Sequence, residues 1–153
     1  MLRLTGKFLL VAAVIGAAFA IAAAQERKIS RAQLPPAVEQ TVAKESIGAT
    51  IKGFAMEIEK GQKFYELSLL VNGRTRDILM DKTGAIVEVE EEVAFDSLPP
   101  NVQEGIKSAA GRGTIGVVES LSKNGQIVAY EAHVKTGKKR SEIKVGPNGE
   151  KVK

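Results

Sequence analysis

Residues 34–38 read Leu34-Pro35-Pro36-Ala37-Val38, and residues 98–102 read Leu98-Pro99-Pro100-Asn101-Val102. The second copy lies 64 positions after the first, and the register persists outward from it. Val42 matches Ile106, Ile51 matches Ile115, and Gly61-Gln62 matches Gly125-Gln126. One inserted residue then moves the offset to 65, at which Tyr65-Glu66 matches Tyr130-Glu131, Ile78 matches Ile143, Gly84 matches Gly149 and Val87 matches Val152. Two copies with so long a period do not make a solenoid. The spacing predicts two small units of like fold, with residues 25–92 as the first and 93–153 as the second, which share an interface or form a continuous sheet.

Local signals agree within each copy. Pro36 and Pro100 suit the first turn of a helix, where no N–H is needed. Val38 and Val42, and Val102 and Ile106, give each helix one apolar side, ending near Gly48 and Gly111. Asp96 or Ser97 is placed to lead into or cap the second helix. Gly105 weakens that helix by roughly 1 kcal/mol relative to Ala. Four strands follow each helix. They are 50–59, 63–71, 74–80 and 85–91 in the first copy, and 114–122, 126–135, 138–145 and 150–153 in the second. Asn72-Gly73 and Asn124-Gly125 mark hairpins, because both residues of such a turn take positive φ. The predicted fold class is α+β: two tandem units, each one helix packed on a four-stranded antiparallel sheet. Alternation puts Tyr65, Leu67, Leu69 and Val71 on one face and Phe64, Glu66, Ser68 and Leu70 on the other. The helix covers the tyrosine face, which leaves the opposite face free for a partner.

Residues 1–24 read as a cleavable export signal. Arg3 and Lys7 precede a 17-residue apolar run, Phe8 to Ala24, and Ala22 and Ala24 fit a cleavage point before Gln25. The competing reading is a membrane anchor, but the run sits at the lower edge of spanning length. No later stretch approaches that length, so no stable membrane insertion is expected after cleavage. The protein is expected in the periplasm or secreted.

The chain has 153 residues, 22 basic and 18 acidic, one His and no Cys. Arg3 and Lys7 go with the signal, so residues 25–153 carry 20 basic and 18 acidic residues, too close to neutral for a nucleic-acid binder. Residues 25–92 hold ten basic and twelve acidic residues, and residues 93–153 hold ten and six. Without Cys there is no disulfide framework and no thiol chemistry, and one His excludes a multi-histidine metal centre.

The order LPPAV, Ile51, Gly61, Tyr65-Glu66-Leu67, a hairpin and Asp81 to Gly84, repeated as LPPNV, Ile115, Gly125, Tyr130-Glu131 and Asn148-Gly149, resembles the PepSY-like domain family of the β-lactamase-inhibitor-like fold. The resemblance covers nearly all of the chain after the signal. It implies exported, non-enzymatic proteins, often in tandem, that bind or inhibit other exported proteins. Inhibitor-type members set two sheets side by side as a gripping surface, which here corresponds to the helix-free face. Those inhibitors are disulfide-stapled and aromatic-rich. This chain has no Cys, no Trp and 5% aromatics. Inhibition of a β-lactamase is therefore not carried over.

Candidate partner-binding residues are Glu66, Asn72, Arg74, Glu131, His133, Lys138, Lys139 and Arg140. Tyr65 and Tyr130 are read as core aromatics. The run Glu88, Glu90, Glu91 and Glu92 reads as a solvated strand edge and linker. The alternative is a calcium or small-ligand site using Glu88 and Glu90, which alternation aims together. The basic stretch Lys135, Lys138, Lys139, Arg140 and Lys144 either steers an acidic partner or keeps an exposed hairpin soluble. No catalytic constellation assembles around His133 or the glutamates, and no cofactor is called for. The expected role is an exported non-catalytic interaction module that inhibits or modulates an extracytoplasmic protein.

Overall fold

In the computed structural model, residues 26–152 are described, so the expected export signal at residues 1–24 lies outside them. The elements are β1 (Arg27–Ile29), α1 (Pro36–Glu45), β2 (Thr50–Glu59), β3 (Gln62–Val71), β4 (Arg74–Asp81), β5 (Ile86–Val93), α2 (Pro100–Ala110), β6 (Thr114–Lys123), β7 (Gln126–Thr136) and β8 (Lys139–Val145). All eight strands form one antiparallel sheet in sequence order. The α+β class is as expected, and of the two arrangements open to the units the structure shows the continuous sheet, though not an even division into four strands and four.

The join is made by β5 and β6, which pair from Glu88↔Lys123 to Val93↔Val118. Five strands precede it and three follow. The expected last strand at 150–153 shrinks to a single bridge, Val145↔Lys151, among the described residues. The Glu88–Glu92 run is therefore not a solvated edge or linker. It lies on a central strand hydrogen-bonded on both sides, and Glu88 is only 5% exposed. The expected boundary between residues 92 and 93 falls inside β5.

Both helices begin on the prolines, with Pro36 and Pro100 in the first turn. Neither has a side-chain cap. The cap expected of Asp96 or Ser97 is not made, because both residues are taken up in a 3-10 turn at Phe95–Ser97. Val38 and Val42 of α1 are fully buried against Tyr65, Leu67, Leu69, Ile78 and Met80. Val102 and Ile106 of α2 are fully buried against Val118, Tyr130, Ala132 and Val145. Register shows that these residues share one face, since Val89 lies opposite Ser122 and Val93 opposite Val118. Both helices therefore cover the same side of the sheet, with the tyrosines beneath them.

Asn72 and Gly73 have φ of 51° and 82°, and Asn124 and Gly125 have 51° and 76°, as their hairpins require. Gly84 and Gly149 have a second reason to be glycine. A Cβ on Gly84 would strike the Ala37 carbonyl in the first turn of α1, and one on Gly149 would strike the Asn101 carbonyl in the first turn of α2. Gly105 in turn lies against the Gly149 backbone, so the helix propensity it sacrifices permits close packing. Gly61 also has positive φ, but open space surrounds it. In urea unfolding, Gly84→Ala and Gly149→Ala should each cost about 3 kcal/mol, against about 1 kcal/mol for Gly61→Ala. Equal losses at the three positions would refute the packing account.

Candidate functional site

The helix-free face is built by alternation. β3 contributes Glu66 and Ser68, β4 Thr75, Asp77 and Leu79, and β5 Glu88, Glu90 and Glu92. β6 adds Glu119, Leu121 and Lys123, β7 adds Glu131 and His133, and β8 adds Glu142 and Lys144. Neither helix lies on this side, yet Leu79, Leu121, Ala129 and Glu88 are buried, so neighbouring side chains fold over them.

At the centre, Glu66, Asp77, Leu79, Glu88 and Glu90 line a cavity of about 10 Å³, room for at most one water. Lys123 Nζ reaches Glu88 Oε2 at 3.0 Å. Burial, and then the Asp77 charge, push the Glu66 carboxyl up to about 7, against a smaller opposing effect of the Ser68 hydroxyl it accepts at 3.0 Å. Burial, and then Glu88, Glu119, Glu131 and Asp77, push Glu90 up to about 8. Glu57, one row away, is 6% exposed and also raised, chiefly by burial.

Toward the other end of the face, Thr75 donates its backbone N–H and hydroxyl to Glu92 Oε2 at 3.2 and 3.3 Å. Lys144 Nζ sits 2.8 Å from Glu131 Oε2. His133 lies between Glu119 Oε2 at 3.5 Å from Nε2 and Glu142 Oε1 at 3.7 Å from Nδ1. Glu91 faces the helices, where the Arg76 guanidinium lies 3.0 Å from Glu91 Oε1 and 3.3 Å from Glu45 Oε2.

The structure thus gathers Glu66, Glu131, His133 and Arg140 on the helix-free face. Arg74 and Lys139 pair with Val71 and Thr136 and point to the helix side. Asn72 and Lys138 occupy turns at one common end of the sheet. Glu88 and Glu90 do point together, as alternation requires, with Glu66 and Asp77 beside them. Among the described residues, no group of three or more His, Asp or Glu side chains has an arrangement that could hold a metal ion. A shallow crevice of about 350 Å³ between Phe64, Val87 and Lys123 continues the face toward its lower end.

Sequence reasoning missed Asp77, Glu57, Glu119 and Glu142. Their signal was alternation carried across strands, and for Asp77 and Glu119 it becomes readable only once β5 is known to lie between β4 and β6.

Solved structures of several bacterial proteins share this architecture. Among them are a DUF2874 family protein from Bacteroides ovatus (20% identity, TM-score 0.61, covering 79% of this chain and 86% of that one), a BLIP-like protein from Bacteroides fragilis (21%, 0.58, 78% and 84%) and a candidate periplasmic protein from Bacteroides eggerthii (17%, 0.64, 78% and 86%). The fold is β-lactamase-inhibitor-like. No protein-family model matches the chain, and no curated protein sequence does. Among the described residues, no helix is long and apolar enough to cross a membrane.

The raised carboxyls of this β-lactamase-inhibitor-like sheet make stability depend on pH. Folded Glu66 and Glu90 hold protons that the unfolded chain releases in the ordinary carboxylate range, so stability falls as pH rises from that range through about 7 and about 8. The melting temperature should drop between about pH 5 and about pH 9, and Glu90→Gln should remove much of the drop. An unchanged slope in that variant would contradict the burial assigned to Glu90.

Proposed function

We propose that the chain is an exported, non-catalytic binding module made of two tandem PepSY-like units, residues 25–92 and 93–153. In this reading residues 1–24 are removed on export, and the module acts in the periplasm. It binds an extracytoplasmic protein through the helix-free face and inhibits or modulates it.

The observation that carries the reading is the one-sidedness of the sheet. Both helices and both tyrosines lie on one side, and the other is an eight-stranded surface with no element over it among the described residues. Antiparallel sheets tolerate a solvated face, but its residues are then ordinarily simple polar ones. Here the face holds raised, half-buried carboxyls, whose ionisation works against the fold above the ordinary carboxylate range. The fold shared with a BLIP-like protein and with a candidate periplasmic protein supports both the binding role and the compartment. The equivalent placement of Gly84 and Gly149 against the two helices supports the tandem units.

The test is carboxyl footprinting. The protein is incubated with periplasmic extract of the source bacterium, the retained complex is purified, and exposed carboxyls are labelled with a carbodiimide and glycine ethyl ester. Glu131 and Glu142 should lose labelling in the complex, while Asp96 and Glu104, on the helix side, keep theirs. Protection of Asp96 and Glu104 alone would move the docking surface to the helices and overturn the reading.

A further inference from the structure

We infer that Asn72 and Asn124 are sites of spontaneous deamidation in the folded protein, and that the fold protects the third Asn-Gly pair, Asn148-Gly149. The dipeptide is the same at all three places, so it is the structure that ranks them. The inference stands apart from the docking role of the helix-free face.

The reaction needs water as its only co-reactant. The glycine amide nitrogen loses its proton to solvent base and bonds to the asparagine Cγ. The side-chain nitrogen leaves as ammonia, which closes a cyclic imide. Water then adds to one of the two imide carbonyls and breaks its C–N bond, giving aspartate or isoaspartate, and nothing is oxidised or reduced. In isoaspartate the main chain runs through the former side-chain CH2. Three conditions set the rate at a given pair. The glycine N–H must be free to lose its proton, the peptide between the two residues must be able to turn so that nitrogen reaches Cγ, and the local charge must tolerate an amide anion. Glycine eases the second condition, because it has no Cβ to obstruct the turn.

Asn72 and Asn124 meet all three conditions. They open two-residue hairpin turns whose ladders end at Val71↔Arg74 and Lys123↔Gln126. Asn72, Gly73, Asn124 and Gly125 are all exposed. Among the described residues, neither Gly73 nor Gly125 donates its N–H to a backbone carbonyl. A Cβ built on either glycine would meet nothing within 4 Å, so the peptide has room to turn. Arg74 follows Gly73 and Lys123 precedes Asn124, and a neighbouring cation favours the anion.

Asn148 meets none of them. Gly149 donates its N–H to the Gly146 carbonyl at 2.9 Å, closing a turn through Pro147 and Asn148. Its backbone is wedged beneath α2, between the Asn101 carbonyl and Gly105, so turning the peptide would drive it into the helix. Asn148 donates its own N–H to Glu150 Oε2 at 3.1 Å, which holds a carboxylate close to the nitrogen that would have to become an anion.

Each conversion replaces a neutral amide by a carboxylate. Asn72 lies at the end of the sheet it shares with the Lys138 turn, and Asn124 lies at the opposite end. The charge therefore changes at both ends of the sheet while both cores and both helix seats are left as they were. An isoaspartate also lengthens a loop whose two positive φ angles match the twist of its strands.

The test follows the intact protein in warm, mildly alkaline buffer over weeks. Peptides carrying each asparagine are read by mass spectrometry, with electron-based fragmentation to separate aspartate from isoaspartate. A parallel sample in guanidinium chloride gives the rate of each pair without the fold. In the folded protein Asn72 and Asn124 should each convert at least about tenfold faster than Asn148, which must wait for a local opening. In denaturant the three rates should agree within about threefold, since only the dipeptide then matters. Equal rates at the three positions in the folded protein overturn the inference. So does a folded sample in which none of the three converts while the denatured sample runs to completion, because the hairpin turns would then protect as well as the helix seat does.

Discussion

The pairing of β5 with β6 is the constraint on which the rest depends. It runs over six residue pairs, from Glu88↔Lys123 to Val93↔Val118. Side chains alternate along a strand, so the register of this one ladder decides which face each later residue occupies. A slip by one residue would exchange the faces of every strand after it. With the observed register, α1 and α2 lie on one side, and Val93 and Val118 complete the second core. The same register carries Glu88, Glu90 and Glu92 to the opposite side, beside Glu119, Glu131 and Lys123.

Two cores carry the fold without a disulfide. Each consists of a short helix with two fully buried aliphatic residues over a layer that includes one tyrosine. Helices of ten and eleven residues would not persist alone, so their stability comes from this packing. The close seats of α1 on Gly84 and of α2 on Gly149 fix how far each helix descends onto the sheet. The two edges are treated differently. β1 covers only three residues of β2, while β8 displays Lys139, Arg140 and Lys144, a charged edge of the kind that discourages strand addition.

The leucine-proline-proline pairs, the Asn-Gly turns and the Tyr-bearing apolar face were legible in the sequence because each rests on local chemistry. Proline at a first helical turn and positive φ at a hairpin need no knowledge of distant neighbours. The position of β5 was not legible. Ile86-Val87-Glu88-Val89-Glu90-Glu91-Glu92-Val93 has the composition of an edge strand. What makes it central is its pairing to a strand that lies beyond α2, a non-local contact that no window of sequence contains. The site residues follow the same division. Glu66 and Glu131 were found from alternation within their own strands, whereas Asp77 and Glu119 become site residues only because β4 and β6 flank β5. The cap expected at Asp96 or Ser97 failed for a local reason, since the chain entering Pro99 first closes a 3-10 turn.

The imbalance on the helix-free face is more informative than its net charge. A solvated acidic surface would spread its carboxylates, expose them and leave their titration near the ordinary range, as a generic solubilising face does. This one concentrates them on the inner strands, half-buries them and gives two of them lysines from adjacent strands. Glu90 is left with four acidic neighbours and no cation. A lysine at position 121, opposite Glu90, would supply that charge only by displacing Leu121, which is 6% exposed. The unbalanced carboxyls therefore stand around a small apolar patch that the free face itself buries at Leu79, Leu121 and Ala129. Their repulsion acts on the sheet from the side away from both cores, and it grows as pH rises.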